Sequence, residues 1–168
     1  MFLNKKINAV SFGEVLFDVF GTEKKIGGAP LNLALRTASF GFPVAMISAV
    51  GNDEDGKIIC DYTNENQLDT SAIISTPDYE TGIVQVALND RGSATYEIKF
   101  PSAWDFIEAN EKTNNIIKNA DVFFYGSLVC RNEVSQKTLF TLLESNSKMF
   151  KVFDVNLRKP FYDITLLE

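Results

Sequence analysis

The stretch GGAPLNLALRTASFGFPVAMISAVGNDEDG, residues 27 to 56, carries a glycine pair, a helix, a strand and the opening of a second helix in one run. Pro30 suits a first helical position and Gly41 a C-terminal stop, so a helix is expected from about Pro30 to Ser39. Phe42 to Gly51 is almost unbroken apolar sequence, which is how a strand buried on both faces reads. The acids of NDEDG fall in what would be a first helical turn, where the helix dipole favours negative charge, and this second helix is expected to run to Leu68.

Upstream, INAVSFGEVLFDVF reads as a buried strand from Ile7 to Phe20, rich in Val, Ile and Phe and ending at Gly21. Downstream come a helical stretch around Thr113 to Lys118, a strand DVFFYGS from Asp121, a helix from about Glu133 to Glu144 and a strand MFKVFDVN. Helices alternating with strands too apolar to have a wet face predict an α/β fold with a mainly parallel central sheet.

Residues 82 to 100 break that rhythm. Two strand-like runs flank NDRG, a hairpin turn sequence. In the second run Ala94, Tyr96, Ile98 and Phe100 share one face, and Ser93, Thr95, Glu97 and Lys99 take the other. A hairpin with one greasy and one polar side is expected to stand outside the main sheet as a flap. At the other end of the chain, YDITLLE begins a helix that Asp163 would cap and Leu166 and Leu167 would make apolar, with no stop signal after it.

The 168 residues are 45% apolar, enough for one domain with a substantial core. A net charge of −6 with no basic cluster argues against nucleic acid or an anionic membrane as partner. Histidine is absent and the two cysteines, Cys60 and Cys130, lack metal-type spacing, which sets aside zinc sites, Ser-His-Asp triads and Cys-His pairs. A general base must then be a carboxylate or lysine. Both cysteines are expected to be reduced and partly buried. GNDEDG lacks the remaining ligand positions of a calcium loop. Without a signal-peptide core or a run of transmembrane length, the chain is expected to be cytoplasmic.

Three features point toward a ligand. Gly27 and Gly28 precede a helix, either to bring backbone close to a ligand or simply to turn the chain, and Asn32 in the first helical turn can both donate and accept. Asp18, embedded in VLFDVF, would be costly to bury without partners; it is either a solvated strand-end acid or an acceptor for sugar-type hydroxyls. In FDVNLRKP, Asp154, Asn156 and Arg158 alternate and would point to one side of an extended segment. They form either an ion pair closing the strand or a polar end suited to a polyol and a phosphate. Trp104, just after the flap, is either a core residue at the lid hinge or an aromatic wall of a pocket, and the core is preferred.

Together, INAVSFGEVLFDVF, IGGAPLNLALRTASFGFPVAMISAVGNDEDG, the hairpin after TGIVQVAL and FDVNLRKPF resemble the ribokinase-like (PfkB) family of carbohydrate kinases, with fructokinases closest. The resemblance implies a Rossmann-type layered fold with a small β lid, its strands at about 14–22 and 82–100. It implies an ATP- and Mg²⁺-dependent kinase that phosphorylates a sugar hydroxyl. Gly27, Gly28, Asn32 and Asp18 would bind the sugar. Arg158 would lie near the transferred phosphate, supported by Asn156 and Asp154, and Tyr96 and Ile98 would belong to a lid that closes over the sugar and pairs two copies. The family's Gly-x-Gly-Asp and Asn-x-x-Glu motifs are missing. The chain is therefore read over residues 1–168 as the N-terminal part of one kinase domain, without the ATP and catalytic part and inactive alone. A sugar-binding module without catalysis is the alternative, and a dinucleotide-binding oxidoreductase suffers from the lack of GxGxxG.

Overall fold

The computed structural model describes residues 6–88 and 94–162. The NDRG turn and the helix start expected from Asp163 lie outside the described residues. Five parallel strands form the central sheet: β1 (Ala9–Phe12), β4 (Val44–Gly51), β5 (Asp69–Thr76), β8 (Val122–Gly126) and β9 (Phe150–Asp154), in the order β5-β4-β1-β8-β9. All eight residues of β4 are buried, as expected for an inner strand covered on both faces.

Successive residues of each inner strand feed opposite layers. Ala9, Val44 and Met46 pack with Leu31 and Ala34 of α1 (Ala29–Ser39) and Ile59 of α2 (Glu54–Glu65). Val10, Ala45, Ile47 and Phe123 pack on the other side with Ile117 of α3 (Glu111–Lys118) and Leu139 and Leu142 of α4 (Glu133–Ser145). Trp104, fully buried, belongs to this second layer. Truncating side chains sealed like Leu31 or Leu142 costs about 2–5 kcal/mol, so these layers set much of the stability. Cys60 and Cys130 are free and half-buried beside the two cores.

The single strand expected over Ile7 to Phe20 is two strands in different sheets. The chain leaves the central sheet at Gly13, whose φ of +143° no side-chain-bearing residue adopts comfortably. Its backbone is held there by the Ile47 carbonyl, which accepts from Gly13 N at 3.2 Å, and by the Ser48 hydroxyl, which donates to Gly13 O at 2.6 Å. After this bend the chain enters β2 (Leu16–Phe20), part of a second sheet ordered β3-β2-β6-β7. Here β3 is Glu23–Gly27, β6 Gly82–Leu88 and β7 Ala94–Ile98. The expected flap is thus a four-stranded sheet, and the glycine pair leaves β3 of that sheet rather than a strand of the central one.

Local chemistry holds the helix starts. Asp53 caps α2: its Oδ1 accepts from Gly56 N at 2.7 Å and from the Thr81 hydroxyl at 2.6 Å, and its Oδ2 accepts from Thr81 N at 2.9 Å. This one carboxylate ties the helix to the start of β6. Among the described residues no helix is long and apolar enough to cross a membrane.

Candidate functional site

The chain passes from the carboxyl end of β1 through the Gly13 bend into the second sheet, and two groups of polar side chains lie near this passage. The first group lies on one face of the second sheet. β2 pairs in parallel with β6 and antiparallel with β3, placing Asp18 opposite Val84 and Lys25. Leu16, Val84, Val86 and Ile98 cluster on the same face, so Asp18 is a half-buried acid in an apolar field. Burial pushes its carboxyl above the ordinary aspartate value, and the nearby Arg158 guanidinium pulls back against that rise. Arg158 also lies 5.5 Å from the ring centroid of Tyr96, which stands opposite Val86 in the β6–β7 pairing.

Gly27 lies behind Asp18. A Cβ on Gly27 would collide with Asp18 Oδ2, so the missing side chain leaves room for the acid itself. Gly28 has φ +108°, and a Cβ there would run into the main-chain carbonyl of Glu14. The glycine pair therefore lets the start of α1 press against the β1–β2 bend. Asn32 follows in the first turn of α1 with its main-chain N–H donating to Gly28 O at 2.9 Å, and the residue is exposed.

The second group surrounds a small cavity. Asp154, the last residue of β9, and Asn156, just past it, line this cavity together with Glu14, Ala29 and Ser127. Arg158 does not join them, because β9 ends at Asp154 and the strict alternation expected of an extended segment ends with it. Glu14 is 3% exposed, and its Oε2 has no hydrogen-bond partner among the described residues. Burial lifts its carboxyl from 4.5 to about 7, against the pull of the Glu14 and Ala29 amides and the Arg131 charge. No three His, Cys, Asp or Glu side chains converge as a metal site among the described residues.

The whole chain from residue 3 to 167 matches the family model of the pfkB family carbohydrate kinases. The chain belongs to that family. Among pfkB relatives, "Probable fructokinase-7" of Arabidopsis thaliana is 30% identical over 170 residues, covering 91% of this chain and 49% of that protein. The crystal structure of an uncharacterized sugar kinase from Pyrococcus horikoshii in complex with ATP superposes with a TM-score of 0.80 at 26% identity, over 92% of this chain and 54% of that one. A fructokinase structure from Halothermothrix orenii shares the fold with a TM-score of 0.84 at 22% identity, over 94% of this chain and 60% of that one. The chain spans about half the length of the curated relatives it matches.

Sequence reading singled out Asp18 and passed over Glu14, although both carry the same signal: an acid inside the apolar run VSFGEVLFDVF. It also passed over Arg131 and Asp105. Arg131 belongs to a short 3-10 turn after β8 and Asp105 to another before α3, and nothing in their spacing announces that they meet.

Proposed function

We propose that this pfkB chain holds the sugar in ATP-dependent phosphorylation of a sugar hydroxyl, with fructose or a closely related sugar as acceptor. The observation that carries the reading is Asp18, a half-buried carboxylate among Leu16, Val84, Val86 and Ile98 that faces Arg158. A carboxylate in such surroundings gains strongly from hydroxyl donors, because hydrogen bonds to a charged acceptor are worth about 1.5–3 kcal/mol once water is excluded.

In this reading Asp18 orients the sugar by accepting from its hydroxyls, and Asn32, near the Gly27–Gly28 turn, supplies a further donor and acceptor. Arg158 neutralises charge on the phosphoryl group in flight, since its planar fork matches phosphate oxygens. Asp154 and Asn156 form the floor below. The second sheet, with Tyr96 and Ile98, acts as a lid whose closure keeps water from the phosphoryl group. The exposed Tyr96 face would also pair two copies of the chain.

ATP and Mg²⁺ enter as the phosphoryl donor and its counter-ion. Among the described residues no three His, Cys, Asp or Glu side chains converge to hold the metal. The chain carries no Gly-x-Gly-Asp segment to deprotonate the acceptor hydroxyl. In a protein of the relatives' length the remaining half would supply that base and the nucleotide site.

Calorimetric titration of fructose, ribose and related sugars into the 168-residue chain tests the proposal. One of these sugars is expected to bind, and Asp18→Ala to weaken it by roughly tenfold or more. Binding that is indifferent to Asp18→Ala, or no binding by any sugar, overturns the reading.

A further inference from the structure

We propose that the cavity beside Glu14 is a seat for a single hydroxyl group of the sugar, with Glu14 Oε2 as the acceptor and Asn156 as its companion. The inference deepens the sugar-binding reading and rests on it.

Glu14 reaches the cavity from the bend between β1 and β2, and the amides of Glu14 and Ala29 act on its carboxylate. Its Oε2 is buried and left without a donor. Buried acceptors are almost always partnered in folded proteins, so an open one on a side chain that lines a cavity points to a ligand donor. Ser127, Asp154 and Asn156 supply polar side chains to a wall that Ala29, Pro30 and Leu33 otherwise make apolar. A hydroxyl in this space would donate to Glu14 Oε2 while its own oxygen accepts from the Asn156 side-chain amide, so that donor and acceptor needs are met together.

Size restricts the occupant. The cavity measures about 10 Å³ on a scale where one water takes roughly 10–15 Å³. That space admits one hydroxyl and excludes a sugar ring. The ring belongs above, at the Asp18 face, and the same two chain segments run between the two places. Gly27 backs Asp18 while Ala29, two residues on, lines the cavity. Asp154 lines the cavity while Arg158, four residues on, acts on Asp18. A sugar gripped at Asp18 therefore has one hydroxyl directed at the seat, and the seat reads which carbon bears it.

The test titrates fructose and its monodeoxy analogues into wild type, Glu14→Gln and Asp18→Asn forms of the 168-residue chain by calorimetry. Gln keeps the shape of the side chain and an oxygen for the neighbouring amides, but places an NH₂ donor or a weaker, uncharged acceptor in the seat. Wild type is expected to bind one monodeoxy analogue roughly tenfold or more weakly than fructose. Glu14→Gln is expected to lose roughly that factor for fructose itself and to treat the two ligands alike, with no fall in melting temperature. If Glu14→Gln binds fructose as wild type does, or keeps the full discrimination, the cavity holds only water and the inference is overturned. Loss of binding in Asp18→Asn would then leave the sugar reading standing. If wild type binds neither fructose nor any analogue, both fall.

Discussion

The guanidinium of Arg131 grips the Asp105 carboxylate through Nε and Nη2, each at 2.7 Å, with the two side chains 1% and 0% exposed. Nη2 also donates to the Lys99 carbonyl at 2.7 Å, just past β7. The guanidinium lies 3.8 Å from the Trp104 ring centroid and 4.8 Å from that of Phe161. One buried cation thus ties together the root of the second sheet, the core, and the loop that follows Arg158. Removing only its partner strands the charge, so Asp105→Ala is expected to cost about 3–5 kcal/mol in urea unfolding. A cost below about 1 kcal/mol would show that the pair is not what holds this corner.

Glu14 makes stability depend on pH in the opposite sense to an ordinary ion-paired acid. Because burial raises its carboxyl from 4.5 to about 7, the folded chain holds a proton in that window that the unfolded chain has released. Folding stability is expected to fall as pH rises through the window and to level off above it, by roughly 3 kcal/mol in all. Glu14→Gln is neutral throughout and is expected to flatten the profile. Urea midpoints at about pH 5 and about pH 8 decide the matter: a wild type equally stable at both would contradict the assignment.

Gly28→Ala and Gly41→Ala separate two costs of adding a methyl group. Both positions have positive φ, +108° and +85°, but only at Gly28 would the new Cβ meet the Glu14 carbonyl, while nothing stands within 4 Å of one at Gly41. Gly41→Ala is expected to cost about 1–2 kcal/mol from backbone strain alone. Gly28→Ala should cost clearly more and, by pushing α1 from the β1–β2 bend, should weaken sugar binding as well. Equal melting temperatures for the two variants would count against the close packing described at Gly28.

Among the described residues no strand pairs with the outer edge of β9. Its exposed Phe150 and Phe153, and Val155 and Leu157 beyond it, are 69%, 38%, 46% and 38% exposed. An unpaired edge with large apolar side chains templates pairing between chains. Self-association that rises with concentration is expected in light scattering, and Phe150→Lys should reduce it. A monodisperse monomer at high concentration would show the edge to be harmless.

Much of the central fold was legible because inner strands must be apolar on both faces. β4 and β8 and the helices between them follow from runs and stop signals within a few residues of their observed ends. The edge strands were harder. β5, with sequence DTSAIIST, is only partly covered, and β3, with EKKIG, exposes Glu23, Lys24 and Lys25 in succession, so both carry the polar residues that an edge position permits. Neither has a pattern that distinguishes it from a loop; β3 exists because β2 pairs with it. The β1–β2 run hid its break because both halves are buried, one in each sheet, and only the geometry of Gly13 divides them.

The sequence by itself determined the α/β alternation, the glycine-led start of α1, the capping acids of α2 and the unusual acid Asp18, because each depends on neighbours along the chain. Tertiary structure decided which charges meet. Arg158 turns to Asp18 and Tyr96 rather than to Asp154, Glu14 joins Asp154 and Asn156 around one cavity, and Arg131 finds Asp105. These groups lie far apart in the chain, and for Arg131 and Asp105 burial selects the partner, since a charge removed from water must take the complementary group that the packed layers bring within reach.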